Sequence, residues 1–221
     1  ICDVSDRAAL QHAAAETIAT FGKVHLVCNN AGVGAGGPID QVAPADWDWI
    51  VSVNLLGVVY GMETFLPLIR SHGEGGCFVN TASMAGMVSP PGMEPYTATK
   101  FAVVAMSEGW AGQLAPENIQ VSVLCPGFVR TKINQSGRAR QARFGGPVVN
   151  PIVAGNLVDS GIDPERVGRR VLEAVLVKGW VAASITVVLA SRSCTPAWAE
   201  KMPSTMFRRS MTRASVFVPS R

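Results

Sequence analysis

The stretch VHLVCNNAG, at residues 24–32, carries the strongest local signal of a fold in this sequence. Its first five residues are mostly apolar and lead into two asparagines, an alanine and a glycine. This pattern indicates a buried parallel strand that runs into a tight turn. A helical pattern precedes it at residues 5–21, where Ser5 can cap the start and Gly22 can end the helix. Helix, strand and turn in this order favour an α/β architecture.

The same alternation continues along the chain. Further helical patterns cover residues 44–53, 56–70, 95–114 and 163–176, with Asp163 as the cap of the last helix, and β-forming runs cover residues 77–81, 119–125 and 184–189. Alternating strands and helices predict parallel βαβ units, and therefore a doubly wound parallel sheet with helices on both faces. Ligands of such sheets bind beyond the carboxyl ends of the strands. The turns at residues 29–32, 83–86 and 126–131 all follow predicted strands, so we expect them to meet in one crevice.

The composition fits a single globular domain. The chain has 221 residues, of which 48% are hydrophobic and 16% charged. Residues 191–221 hold six of the 19 basic residues but one of the 16 acidic ones, so the predicted domain, residues 1–190, is slightly acidic and the remainder is a basic tail. The tail shows no amphipathic period, and a shifted reading frame and a genuine flexible tail both remain open. Because nucleic-acid binding needs a basic folded face, we predict no nucleic-acid partner.

The cysteines and the apolar runs indicate the compartment. The five cysteines (Cys2, Cys28, Cys77, Cys125 and Cys194) form no CxxC pair, and no histidine stands at metal-ligand spacing, so no metal site is predicted. Three of them lie in predicted core strands, as buried thiols do in a reducing cytoplasm. The longest apolar run, residues 180–190, is too short to span a bilayer, and no membrane association is predicted.

Several motifs occur in one characteristic order. They are the Asn-Asn-Ala-Gly turn at residues 29–32, Asn54, Ser83, the Tyr-Thr-Ala-Thr-Lys segment at residues 96–100, and the Pro-Gly-Phe-Val-Arg-Thr turn at residues 126–131. A lone YxxxK is common by chance, whereas the ordered set is not. In this order and spacing, residues 2–176 resemble the short-chain dehydrogenase/reductase family. The resemblance implies a Rossmann-like fold and an NAD- or NADP-dependent oxidoreductase that interconverts an alcohol and a ketone or aldehyde.

The resemblance makes Asn54, Ser83, Tyr96 and Lys100 the catalytic residues. A neutral tyrosine, with an ordinary pKa of about 10, is a poor base at neutral pH, so a nearby cation should stabilise its phenolate. Lys100 lies four residues on, on the same helical face as Tyr96, and is expected to lower the pKa of Tyr96. Ser83 can donate a hydrogen bond to the substrate oxygen. The resemblance further implies that Asn54 holds a water linking Lys100 to solvent.

The resemblance also implies a set of cofactor contacts. The residues that match contacts to NAD or NADP are Asp3, Val4, Asn30, Ala31, Gly32, Tyr96, Lys100, Pro126, Gly127, Val129 and Thr131. Asp3 and Val4 match positions that contact adenine, whereas Val129 and Thr131 match positions at the nicotinamide carboxamide. The choice between NAD and NADP is not readable from these residues.

The sequence departs from the family at its start. No TGxxxGxG loop is present, and residues 1–4 are interpreted as the end of the family's third strand, so the first βαβ unit is lacking and with it the cradle for a pyrophosphate. In the usual strand order, 3-2-1-4-5-6, the strand at residues 24–28 then becomes an exposed apolar edge. The alternative to an active enzyme is therefore a catalytically impaired fragment, or a non-catalytic member of the fold that binds a nucleotide or a partner. A cofactor-free dehalogenase is disfavoured because that variant has arginine at the position of Lys100.

The expected substrate is a small, mostly apolar alcohol or carbonyl compound. Four apolar residues either line its pocket or belong to the core: Met84, Met87, Met93 and Phe128. The irregular stretch at residues 132–161 is typical of a lid or binding loop. Its arginines, Arg138, Arg140 and Arg143, either favour an acidic substrate or are simply solvated.

Two helices predict the assembly state. The helices at residues 56–70 and 95–114 are apolar over a wide arc, with Trp110 among the residues assigned to a partner-facing side. In the family these helices form a dimer, so the resemblance implies a homodimer or homotetramer. Burial of the wide arc in the core of one subunit is the alternative.

Overall fold

The computed structural model describes residues 1–149, 155–176 and 185–186. Its sheet contains four parallel strands in the order β1-β2-β3-β4, with β1 at Leu26–Asn29, β2 at Gly76–Thr81, β3 at Ile119–Leu124 and β4 at Ile185–Thr186. All four lie within or next to the predicted β-forming runs. The α/β fold with a parallel sheet is confirmed.

Helices connect these strands. They are α1 at Arg7–Phe21, α2 at Pro44–Val51, α3 at Gly57–His72, α4 at Glu94–Leu114, α5 at Gly155–Asp159 and α6 at Pro164–Leu176. Asp163 caps α6, because its side chain accepts a hydrogen bond from the Glu165 amide at 2.8 Å. The cap predicted for α1 is wrong by one residue. Asp6 rather than Ser5 accepts the first amides of α1, while Ser5 bonds to Asp3.

The two helices predicted at residues 44–53 and 56–70 form one continuous helix, Pro44–His72. A turn of π-helix at Ser52–Leu56 joins α2 to α3 without a break. Among the described residues this is the one helix long and apolar enough to cross a bilayer, but 44% of its most apolar window is buried in the fold, as in a core helix. Its length is therefore weak evidence for a membrane.

The strand predicted at residues 1–4 is not formed. These residues have no strand partner in the described part of the chain, and Val4 instead packs closely against Gly57 at the start of α3. Extended backbone becomes a strand only when a neighbour accepts its hydrogen bonds. Residues 184 and 187–189 of the last predicted strand, and the tail at residues 191–221, lie outside the described residues.

Helices cover both faces of the sheet, as predicted. On one face, α3 and α4 bury a cluster that includes Val27, Phe78 and Val121. On the other face, α6 packs over β2 and β3, and its Val167 joins Val79 and Leu124.

Strand β1 lies at the edge of the described sheet, in agreement with the sequence prediction. Of its side chains, Val27 is buried, whereas Leu26 and Cys28 point to the opposite face, beyond the reach of α6, and are exposed. The interpretation of Cys28 as a buried thiol is therefore wrong, although Cys77 and Cys125 are buried as expected. All four described cysteines are free.

Candidate active site

The first turns of α4 carry the two residues predicted to perform acid–base chemistry. Tyr96 and Lys100 lie on one helical face, with the Lys100 Nζ 5.7 Å from the centre of the Tyr96 ring. The ring packs against the apolar cluster formed by Val33, Trp49, Ile50 and Val53. The structure therefore brings both side chains to the carboxyl edge of the sheet.

Ser83 follows the end of β2 and lies beside them. Its backbone is extended, and its side-chain oxygen caps the short 3₁₀ turn at Met84–Gly86 by accepting a hydrogen bond from the Ala85 amide at 3.1 Å. The Met84 amide donates to the Pro126 carbonyl at 2.9 Å, which ties this turn to the one after β3. The Ser83 hydroxyl lies near enough to the Tyr96 phenol to lower its pKa. Two of the predicted turns thus meet at Tyr96.

Asn54 lies in the middle of the π turn and is completely buried. Its side chain accepts a hydrogen bond from the Val33 amide at 2.8 Å and donates to the Val33 carbonyl at 2.9 Å and to the Thr99 hydroxyl at 3.3 Å. It therefore fixes the turn after β1 against α4. The Asn54 Oδ1 and the Lys100 Nζ each lie 3.5 Å from the point where a Cβ on Gly32 would stand. The water-holding role of Asn54 stays a prediction.

Lys100 is 3% exposed, and its Nζ donates a hydrogen bond to the Thr81 carbonyl at 2.8 Å. Burial lowers the pKa of its ammonium to about 8. Beneath it, burial raises the pKa of the Cys125 thiol to about 12, so this thiol is neutral. An amine with a pKa near 8 can bind or release a proton close to neutral pH.

The pKa predicted for Tyr96 is wrong in direction. Burial raises the pKa of the phenol above its ordinary value, and the nearby Ser83 hydroxyl offsets this only in part. The Lys100 ammonium donates its hydrogen bond to the Thr81 carbonyl instead. Tyr96 is therefore a protonated phenol at neutral pH.

The residues predicted at the nicotinamide end of a cofactor line the same edge. The Asn30 side chain accepts a hydrogen bond from the Thr81 hydroxyl at 3.1 Å, and Ala31 next to it is exposed. After β3, Pro126 and Gly127 lead to Val129, which forms a parallel bridge with Ile162. The bonds of this bridge are made by the Phe128 carbonyl and the Arg130 amide. The peptide groups of Val129 itself therefore point away from Ile162. Thr131 is exposed two residues further on.

At the adenine end, Asp3 already has partners. It accepts hydrogen bonds from Ser5, from Gln141 at 3.0 Å and from Arg143 at 3.1 Å. Burial alone would raise the pKa of Asp3, but the bonds from Ser5 and Arg143 lower it below its ordinary value. Val4 packs against the same apolar cluster as Tyr96.

The three arginines of the irregular stretch all have partners within the chain. Arg140 is buried and forms an ion pair with Asp46 at 2.6 Å. Arg143 pairs with Asp3, and Arg138 donates to the carbonyls of Lys132 and Gln135. Arg138 and Arg143 are exposed, as the solvated alternative expects, whereas Arg140 fits neither alternative because it is buried and paired.

The four apolar residues considered for a substrate pocket divide between core and surface. Met87 packs against a buried cluster that contains Val58 and Val103, so it belongs to the core. Phe128 is exposed, and Met84 and Met93 are half-buried.

The fold also creates a cluster that the sequence did not reveal. His25, His72 and Glu74 lie together at the opposite end of the sheet, with ligand atoms within 4.8 Å of one another. The metal-ligand spacing in the sequence did not indicate this cluster, because His25 and His72 are far apart along the chain. Both ring nitrogens of His72 are hydrogen-bonded, to the Val24 carbonyl and the Glu74 amide, and Lys23 also bonds Glu74. Internal bonds thus account for this cluster.

A parallel sheet covered on both faces, with polar turns converging beyond its strands, defines a Rossmann-like α/β protein. A family model described as short chain dehydrogenase matches residues 1–142, and the chain belongs to this family of oxidoreductases.

Three known proteins place the chain among its relatives. It is 37% identical over 147 residues, 66% of its own length and 51% of the relative's, to a CLA biosynthesis dehydrogenase/reductase of Lactiplantibacillus plantarum. Its structure matches a short chain dehydrogenase/reductase from Burkholderia phymatum in complex with NAD, with a TM-score of 0.78, 32% identity, and coverage of 100% of this chain and 78% of that one. It also matches a gluconate 5-dehydrogenase from Burkholderia cenocepacia in complex with NADP and tartrate. The TM-score is 0.57, the identity is 31%, and the match covers 64% of this chain and 55% of that one. The chain spans about half the length of the curated relatives it matches.

Proposed function

We propose that the whole protein is an NAD- or NADP-dependent oxidoreductase that interconverts an alcohol and a ketone or aldehyde, with Tyr96 as acid and base. The observation that carries this proposal is the convergence of Ser83, Tyr96 and Lys100 at the carboxyl edge of the sheet. We also propose a cytoplasmic location, for which the buried free thiols of Cys77 and Cys125 are suited.

The described residues fit the nicotinamide half of such a cofactor. The peptide groups of Val129 point away from its strand neighbour and can bind a carboxamide, and the Lys100 ammonium can bond ribose hydroxyls. The absence of a side chain at Gly32 leaves a close approach to Asn54 and Lys100 open. When bound, a reduced nicotinamide supplies the hydride that the carbonyl carbon receives.

The chain's own residues supply the proton and the orientation. Ser83 donates a hydrogen bond to the carbonyl oxygen and holds it beside the Tyr96 hydroxyl. Tyr96, protonated at neutral pH, transfers its proton to that oxygen as the carbon is reduced, which yields the alcohol. Lys100, with a pKa of about 8, then returns a proton towards Tyr96. In oxidation the same proton moves from the alcohol to Tyr96.

The protein expressed from its complete coding sequence tests this function. A panel of small apolar ketones and aldehydes should consume NADH or NADPH, followed by the loss of nicotinamide absorbance. Absence of turnover with either cofactor, in both directions, would overturn the proposal.

The contacts of Asp3 favour a second candidate, a non-catalytic or impaired protein. Arg143 and Gln141 bond the carboxylate that the resemblance assigns to adenine. Calorimetric titration with NAD and NADP distinguishes the two candidates, because a protein that binds neither cofactor cannot be the proposed enzyme.

We further propose that the protein assembles as a homodimer or homotetramer through the outer side of α4. Its exposed residues are mostly small or apolar: Ala98, Phe101, Ala105, Gly109 and Gly112. Phe101 is 43% exposed. Trp110, which the sequence assigned to the partner-facing side, is half-buried and also packs against two core clusters.

Phe101→Glu is therefore expected to lower the assembly state at micromolar concentration. In a two-fold interface each added charge faces its own copy, which doubles the penalty. Light scattering on the gel-filtration peak measures the mass, and Ala19→Glu on the exposed side of α1 is the matched control. A wild-type monomer at this concentration would contradict the proposal.

A further inference from the structure

One face of α4 is attached to β2 at two successive levels. Lys100 and Ser107 are seven residues apart, two helical turns, and therefore both face the sheet. The Lys100 Nζ donates to the Thr81 carbonyl at 2.8 Å, and the Asn80 side-chain amide donates to the Ser107 hydroxyl at 3.0 Å. Asn80 and Thr81 are consecutive residues of β2.

Each level continues across the sheet to β1. The Asn29 side-chain amide donates to the Asn80 side-chain oxygen at 2.8 Å. The Thr81 hydroxyl donates to the Asn30 side-chain oxygen at 3.1 Å. We call Asn29, Asn80 and Ser107 the lower rung, and Asn30, Thr81 and Lys100 the upper rung. Both rungs join the turn after β1 to the helix that carries Tyr96.

The lower rung is directional. Asn80 is fully buried and Ser107 is 2% exposed, in surroundings that are otherwise apolar. The Asn80 amide uses its oxygen for Asn29 and its nitrogen for Ser107, while the Ser107 hydroxyl donates to the Val103 carbonyl at 2.7 Å. An apolar residue could fill this space with α4 at several positions along β2. These hydrogen bonds, in contrast, form at only one position of α4 along β2.

We propose that Asn80 and Ser107 are positioning residues, which fix the position of α4 along β2. They thereby hold Lys100 at the Thr81 carbonyl and Tyr96 beside Ser83. This inference rests on the proposed function of Tyr96 and Lys100. A displacement of about 1 Å at a reacting group can reduce a rate about 100-fold. The lower rung therefore acts on turnover without contacting the substrate.

Ser107→Ala in the protein from its complete coding sequence tests the proposal. We expect kcat to fall about ten-fold or more with KM changed less than about two-fold, and the ionisation in the pH profile of kcat to shift, because the loss is one of alignment rather than of binding. Ser107→Thr keeps the hydroxyl and should restore both readouts. Ile119→Val, a conservative core truncation at the far end of β3, is the control for a general loss of stability. A Ser107→Ala enzyme with the kcat and pH profile of Ile119→Val would overturn the proposal.

A second measurement does not depend on activity. NMR of isotope-labelled lysines, assigned by comparison with Lys100→Met, gives the pKa of Lys100 directly. In the wild type burial holds it at about 8, and in Ser107→Ala we expect it to rise towards the ordinary value as water reaches the Nζ. An unchanged pKa would contradict the positioning role, even in an active enzyme. A raised pKa in Ser107→Ala, together with a wild type that shows no turnover, would support the positioning role and reject the proposed function.

Discussion

Tyr96→Phe is expected to lower kcat about 1,000-fold while changing cofactor affinity less than about two-fold. The substitution removes the phenol that donates the proton and leaves the ring, which packs against the apolar cluster around Trp49. The Ser83 hydroxyl can still bind the substrate oxygen, so substrate binding should survive as well. Nicotinamide oxidation gives kcat, and fluorescence titration with the reduced cofactor gives its dissociation constant.

The chain offers a matched control for this substitution. Tyr60 is the other of its two tyrosines and lies on α3 beneath the Arg7 guanidinium. Tyr60→Phe removes the same hydroxyl at a position that contacts none of the proposed catalytic residues, and should leave kcat unchanged. If Tyr96→Phe retained most of the wild-type turnover, the assignment of the acid would be wrong.

Local patterns in the sequence were sufficient for much of the fold. The β-forming runs located β2 and β3 within one residue, because apolar residues with high β propensity are concentrated there. The spacing of Tyr96 and Lys100 placed them on one helical face, because four residues make about one turn. In contrast, the π turn around Asn54 adds a residue and shifts the helical period, so the pattern suggested two helices where there is one.

The properties that depend on distant partners could not be predicted. The partners of Asp3 include Arg143, 140 residues further along the chain, and no local pattern connects the two. The pKa of Tyr96 depends on how deeply the ring is buried, whereas spacing alone indicated only a nearby cation. Asn80 and Ser107 escaped notice because a single amide in a strand and a serine in a helix are common in solvated positions. The apolar run at residues 77–79, which precedes Asn80 in β2, was the available signal.

Lys100→Met is expected to lower turnover at least about 100-fold, since it removes both the amine that exchanges protons with Tyr96 and the proposed contact to the ribose. Methionine fills much of the same volume without a charge. The matched control is Lys23→Met, which replaces a half-exposed surface lysine that pairs with Glu74. Activity in Lys100→Met comparable to that of Lys23→Met would contradict the role of Lys100.

The same substitution should also change how stability depends on pH. Burial lowers the pKa of Lys100 from 10.5 to about 8, so the folded protein releases this proton more readily than the unfolded chain. Below pH 8 Lys100 is charged in both the folded protein and the unfolded chain. The buried charge then lowers the free energy of unfolding by about 3 kcal/mol. Between pH 8 and 10.5 the unfolded chain holds the proton that the folded protein has released, so the cost disappears as pH rises. Relative to Lys100→Met, the wild type should therefore gain about 3 kcal/mol across this interval, measured by urea unfolding at a series of pH values. A difference between the two proteins that does not change with pH would mean that the Lys100 ammonium is not buried in the folded state.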